Sequence, residues 1–412
     1  MSGTVDDDSS ATAERMARAA WSALVEPGDR VAGALVRILG AAHALAWARA
    51  AARGAVDWSV VLTAAGEEMG SADRARLGRA VLRWAGRLEA LCPEGDLGAL
   101  HRLNGHLVVP GDDEWPRGLD DLGDAAPPAL WVRGALPARS TVAVVGARAS
   151  TTYGERVAYD LAHGLATRGS CVASGGAYGI DAAAHRGALG AGGPTLVVLA
   201  GGVDRAYPAG NARIFEETVG TGGALLSEVP PGSLPTKSRF LQRNRVIAAL
   251  SDATVVVEAA WRSGALSSAH HAAALLRPVG AVPGPVTSAA SAGCHRLLRE
   301  GHAVCVTDAD EVAELLPGGL HHAGDAGDVR TSDDALSRGT LTDLGTRVVQ
   351  VHDALPLRGG LDESTIATRA GTSVAEARAA LGILQLEDLA VRAGDRWTAR
   401  RPARATDTRP TG

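Results

Sequence analysis

TVAVVGARASTTYGERVAYDLAHGLATRGSCVAS, residues Thr141–Ser174, reads as strand, loop, helix, strand. Thr141–Val145 and Cys171–Ser174 are continuous apolar runs, as strands buried on both faces require. Gly154–Arg168 between them has helical composition. A strand, a helical crossover and a second buried strand make a parallel pair. The grammar continues through Thr195–Ala200, Ala224–Ser227, Thr254–Glu258, Val279–Val282 and Ala303–Val306, with segments such as Ile180–Leu189 between them. The spacing predicts an α/β fold, a doubly wound, mostly parallel sheet with its core at residues 138–315.

Upstream, Pro110–Pro137 is turn-rich, with Pro110, Pro116, Pro127, Pro128 and Pro137. It holds one extended piece, Ala129–Arg133, suited to an edge strand. From Ala13 to about Leu103, Ala, Leu, Val and Trp recur at three- and four-residue spacing, which predicts a helical N-terminal domain over 13–105. Residues 1–12 read as a disordered tail. Downstream, 316–338 is a Gly/Asp/His/Ser linker. Leu341–Asp353, Asp362–Ala370 and Val374–Leu389 read as three helices, and Val391–Arg400 as a β-wing. Together they predict a winged-helix domain over 339–400, followed by a disordered tail at 401–412.

Bulk chemistry narrows the function. The net charge of −5 excludes a globally basic nucleic-acid coat, so any such site must be a local patch. Cys92, Cys171, Cys294 and Cys305 form no CxxC pair, so no metal site is expected. Acidic Asp6–Asp8 stand where a signal peptide would be basic, and no run approaches a membrane span, so a cytoplasmic protein is expected.

Ligands of open parallel sheets bind beyond the carboxyl ends of the strands. The loop Gly146–Gly154 lacks GxGxxG and no acidic ribose ligand follows the second strand, so no dinucleotide cofactor is expected. It offers Arg148 and hydroxyls, a set suited to phosphate. Ser174-Gly-Gly-Ala-Tyr-Gly179 supplies a glycine nest with Ser174, Gly175, Gly176 and Tyr178. Lys237-Ser-Arg-Phe-Leu-Gln-Arg-Asn-Arg245 places four cations and no acid in nine residues, leading into a helix at Val246–Leu250. Ser263 and Gly264 repeat the glycine-plus-hydroxyl theme. A tight strand-to-helix turn explains any one such loop; several on one edge favour a ligand. Aromatics are 3% of the chain, yet Tyr153, Tyr178, Tyr207, Phe240 and Trp261 all fall in these loops. A cationic groove with interleaved aromatic faces is what unpaired nucleic acid needs.

With these residues in hand, residues 141–310 resemble the DNA-processing protein A family (DprA, also called Smf). The matching blocks are Val145-Gly-Ala-Arg148, Tyr153-Gly154, Ser174-Gly175, Gly179-Ile-Asp181 and Asp204-Arg-x-Tyr-Pro208. They continue with Arg243-Asn-Arg-Val-Ile-Ala248, Glu258-Ala-x3-Ser-Gly-Ala-Leu266, Val282-Pro-Gly284 and Gly293-Cys-x-Arg296. The resemblance implies an extended Rossmann-like domain (106–315), a homodimer, protection of single-stranded DNA and loading of the RecA recombinase in natural transformation. Carried over by position, Arg148, Ser174, Gly175, Lys237, Arg243 and Arg245 would line a phosphate pocket and Phe240 would stack on a base. Gly176, Tyr178, Asn244, Ser263 and Gly264 complete the expected site. Tyr178 departs from the family, many members of which carry a basic residue there.

Two rival functions would leave different residues in the chain. A nucleotide enzyme of the phosphoribohydrolase type would need a Pro-Gly-Gly-x-Gly-Thr loop. The chain instead reads Glu258-Ala-Ala-Trp-Arg-Ser-Gly-Ala, so Glu258 is expected to anchor loop N–H groups. No acid/base pair can be named, and no catalysis is expected. A duplex-binding regulator centred on the winged helix would present Arg, Lys, Asn or Gln to base edges. Its recognition helix carries Glu376, Arg378, Glu387 and Asp388 instead.

Overall fold

Along strand β3 (Thr141–Val145) successive side chains enter two different cores. Ala143 and Val145 pack with Val246–Ala249 and with Ala265, Leu266, Ala269 and Ala272. Val142 and Val144 pack on the other face with Ala158, Leu161, Leu165, Ile180 and Ala184. The two-residue period of a strand thus makes one sheet serve two helical layers. The structure is a computed structural model and describes residues 3–65, 70–317, 348, 351–352, 354–356, 360–386 and 390–399.

The sheet has nine strands: β1 (Gly105–Val108), β2 (Leu130–Gly134), β3, β4 (Cys171–Ser174), β5 (Thr195–Val198), β6 (Ala224–Ser227), β7 (Ala253–Val256), β8 (Val279–Ala281) and β9 (Val304–Cys305). Their spatial order is β1-β2-β6-β5-β4-β3-β7-β8-β9, antiparallel in the pairs β1–β2 and β2–β6 and parallel in the others. All seven predicted core strands form. The Ala129–Arg133 piece is not an edge, because β1 covers it; Gly-His-Leu-Val is too short to show a period.

Helices α7 (Thr152–Thr167) and α8 (Ile180–Gly190) lie on one face. α10 (Lys237–Leu250) and α11 (Ala265–Ala274) lie on the other, and α9 (Ala212–Gly220) follows β5. α10 starts nine residues before the expected Val246. Lys, Arg, Leu and Gln are good helix formers, and Thr236 caps the helix by accepting the Arg239 N–H at 3.2 Å.

The N-terminal segment departs from the reading in two ways. Helix α1 spans Gly3–Leu24, so the expected tail at 1–12 is helix from residue 3. Nor is 13–105 a separate body, since residues 1–324 form one compact unit. Trp21, Trp47 and Trp84 build a helical core around α1, α2 (Arg30–Leu39), α3 (Ala41–Ala52) and α5 (Ser71–Leu88). Ala19 of the same α1 packs with Trp131, Leu199 and Phe215 at the sheet. The buried Trp131 Nε1–H donates to Ser22 Oγ at 3.0 Å, and Ser22 in turn donates to Ala19 O at 2.7 Å. Ser22→Ala is expected to strand that N–H and lower stability by about 1–3 kcal/mol. An unchanged urea midpoint would show that the bond contributes nothing.

Residues 325–412 form a second compact unit. Its described part holds helices Glu363–Ala370 and Val374–Leu386 and a hairpin of Ala390–Ala393 with Arg396–Ala399. Ile366, Leu381, Leu384 and Trp397 share their core. The linker beyond residue 317, most of Leu341–Asp353 and the 401–412 tail lie outside the described residues. No single helix among the described residues is long and apolar enough to cross a membrane.

Candidate functional site

The chain builds outward from β3 through β4 and β5 to β6, and α10 then carries it back to β7 on the other side of β3. The loops after β3 and β7 therefore diverge toward opposite faces, which opens a crevice at the carboxyl ends of those strands. A 290 Å³ cleft lies there, lined by Gly146 and Arg148, Ala177 and Asp181, Phe240, Arg243 and Asn244, and Ser263 and Gly264. Six residues expected at the site (Arg148, Phe240, Arg243, Asn244, Ser263 and Gly264) thus meet in one place.

Buried Glu258 sets the crevice walls. Its Oε2 accepts the Thr151 N–H at 2.9 Å and its Oε1 accepts the Thr151 hydroxyl at 2.6 Å. Thr151 Oγ1 also accepts the Gly154 N–H at 3.1 Å, capping α7. A Cβ at Gly154 would collide with the Glu258 carboxylate. The glutamate is an anchor between the β3 and β7 loops, and Thr151 engages both of its oxygens.

Helix geometry separates the cations of α10, because each residue turns the side chain by about 100°. Arg243 points inward at 5% exposure and lies over Gly175, where a Cβ would overlap its guanidinium. Its Nε and Nη1 are buried with no hydrogen-bond partner. Burial lowers its pKa to about 10 against the opposing pull of Asp181. Asp181, whose carboxylate accepts the Ala177 N–H at 3.3 Å, is pushed above the usual carboxylate range by burial. Near the helix start, the Arg148 guanidinium stacks 4.5 Å from the centre of the Phe240 ring, and Tyr207 packs 5.6 Å from it. Lys237 is exposed in the first turn, which carries no acid. Cations at a helix N-terminus add to the positive end of the macrodipole, so positive potential is concentrated at this end of α10.

Other expected residues fall elsewhere. Arg245 leaves the cleft: Nη2 donates to Glu228 Oε2 at 2.6 Å, with both side chains buried. Arg239 pairs through two bonds of 2.9 and 3.0 Å with Glu26 of the α1–α2 connection. Of the four cations in Lys237–Arg245, Arg239 and Arg245 are thus paired with acids, which leaves Lys237 and Arg243 beside Arg148 of the β3 loop. Ser174 is fully buried and its hydroxyl donates to Val144 O at 2.6 Å, so it secures β4 against β3 instead of facing a ligand. Gly176 turns the chain with φ 70°, and its carbonyl accepts from Asn211 Nδ2 at 2.9 Å. Tyr178 is half exposed and packs against Gly210, outside the cleft lining. Asn211, which also donates to Ala177 O at 3.1 Å, holds the β4 loop from a position just beyond the Asp204–Pro208 block, and its amide role has no signal in the sequence. Asp181, a residue of the Gly179-Ile-Asp181 block, joins the cleft lining beside Arg243. Among the described residues no three His, Cys, Asp or Glu side chains gather as a metal site.

The family model for DNA recombination-mediator protein A matches residues 106–317. A putative DNA processing protein DprA of Mycobacterium tuberculosis is 46% identical over 318 residues, covering 73% of this chain and 79% of that protein. Protein Smf of Escherichia coli is 41% identical, covering 57% of this chain and 62% of that protein. Among solved structures, DNA processing protein A of Streptococcus pneumoniae superposes with a TM-score of 0.54 at 30% identity, over 66% of this chain and 96% of that one.

Proposed function

The chain belongs to the DNA recombination-mediator protein A family, and from that premise we propose that the cleft binds the backbone of single-stranded DNA. One observation carries the reading: a buried guanidinium, Arg243, whose Nε and Nη1 have no partner, in the same cleft as the exposed Arg148 stacked on half-buried Phe240. A buried donor without an acceptor is costly, and a phosphate oxygen would satisfy it with charge-assisted bonds. Phe240 and Tyr207 offer stacking faces that demand no base sequence. The protein then protects single-stranded DNA and assists RecA loading in recombination or natural transformation, as a cytoplasmic homodimer that binds without catalysing a reaction. The C-terminal unit is a winged helix with a protein-contact or weak duplex-binding role. In its second helix Arg378 donates to Glu363 at 2.7 Å, which ties up a base-reading candidate.

Titration with oligo-dT and with duplex at two salt concentrations tests this. Single strands are expected to bind more tightly. Three phosphate contacts through Arg148, Lys237 and Arg243 would give a log–log salt slope of about −2, at roughly 0.7 per phosphate. Deleting residues 338–412 is expected to leave that binding in place. Preference for duplex, or loss of binding on truncation, would move the function to the C-terminal unit. Release of free base from nucleoside monophosphates would support the phosphoribohydrolase alternative.

A further inference from the structure

The chain has eight tryptophans. Trp21, Trp47, Trp84, Trp115, Trp131 and Trp397 are buried and Trp58 is half-buried; Trp261 alone is exposed, at 51%. Tryptophan is usually largely buried, and an exposed one with a polar rim marks a contact surface. Trp261 stands in the loop after β7, two residues before Ser263 of the cleft lining, within about 7 Å of backbone. The Arg296 guanidinium lies 5.0 Å from the centre of its ring. The loops after β3 and β7 thus each contribute to an arginine–aromatic stack of the same kind, Arg148 on Phe240 and Arg296 on Trp261. Arg262 and Arg299 are exposed nearby in sequence, while Glu300 approaches Arg296 at 3.8 Å.

We infer that Trp261, backed by Arg296, is a second base-stacking platform that receives the strand as it leaves the Arg243 cleft. This rests on the single-strand reading above and extends its footprint toward β8. The occupant is an unpaired base and not an apolar protein side chain, because Trp261 stands two residues from Ser263 of the cleft lining and its neighbours Arg262 and Arg296 are cationic. One face of the ring is taken by the guanidinium, which leaves the other for a base, and arginine adds a cation–π contribution to such stacks. The residue is exposed, so its replacement leaves the fold intact.

The test compares wild type, Trp261→Ala, Trp261→Phe and Arg243→Ala on oligo-dT of increasing length, with tryptophan fluorescence recorded during each titration. Trp261→Ala is expected to weaken long oligonucleotides by about 5- to 150-fold, the range of one lost base stack, and to leave the shortest bound oligonucleotide unaffected. Trp261→Phe should recover most of the loss. Wild type should show a DNA-dependent quench that both Trp261 variants lack. If Trp261→Ala binds every length as wild type does, or keeps the quench, the platform is overturned while the Arg243 cleft stands. If wild type binds no single strand at all, the cleft reading and the platform fall together.

Discussion

Arg243→Ala is expected to bind oligo-dT about 10- to 150-fold more weakly than wild type while unfolding at an equal or higher urea concentration. The affinity loss corresponds to a charge-assisted hydrogen-bonding group, at roughly 1.5–3 kcal/mol. The stability expectation has the opposite sign for a physical reason. In the free protein Arg243 is buried with Nε and Nη1 unbonded, so its removal relieves a desolvated charge. Part of that relief is offset because Asp181 loses its nearby cation. Arg243→Lys separates charge from geometry, since an ammonium cannot present the planar fork. Wild-type affinity in a folded Arg243→Ala protein would remove the cleft from the DNA path.

Two residues on, the same substitution should do the reverse. Arg245→Ala is expected to lower stability by about 3–5 kcal/mol, the usual consequence of leaving one partner of a buried ion pair alone. Its folded fraction should bind oligo-dT as wild type does, because Arg245 faces Glu228 and not the cleft. The deficit should depend on pH. Burial raises the Glu228 carboxyl and Arg245 opposes that rise. Without the arginine, the native carboxyl takes up protons at a higher pH than the unfolded one, so the variant gains stability relative to wild type as pH falls. A deficit that is constant with pH, or a loss of binding in the folded protein, would contradict the placement of Arg245. The double replacement Arg245→Met with Glu228→Leu is expected to recover most of the stability.

Arg243 and Arg245 also mark the boundary between what was legible in the chain and what was not. The sequence by itself determined the seven core strands, the absence of a dinucleotide fingerprint and the gathering of Arg148, Phe240, Arg243, Asn244, Ser263 and Gly264 on one rim. Those features follow from local apolar runs and from the rule that loops after parallel strands share an edge. Tertiary structure alone decided which arginines are free. Glu26 lies 213 positions from Arg239, and Glu228 meets Arg245 across a separate loop, so no local pattern records either pairing. It also decided that α1 serves both the helical core and the sheet, and that Trp261 stands exposed where six other tryptophans are buried. Periodicity reports a residue's neighbours along the chain, whereas burial and ion pairing are set by segments brought together only when the whole sheet closes.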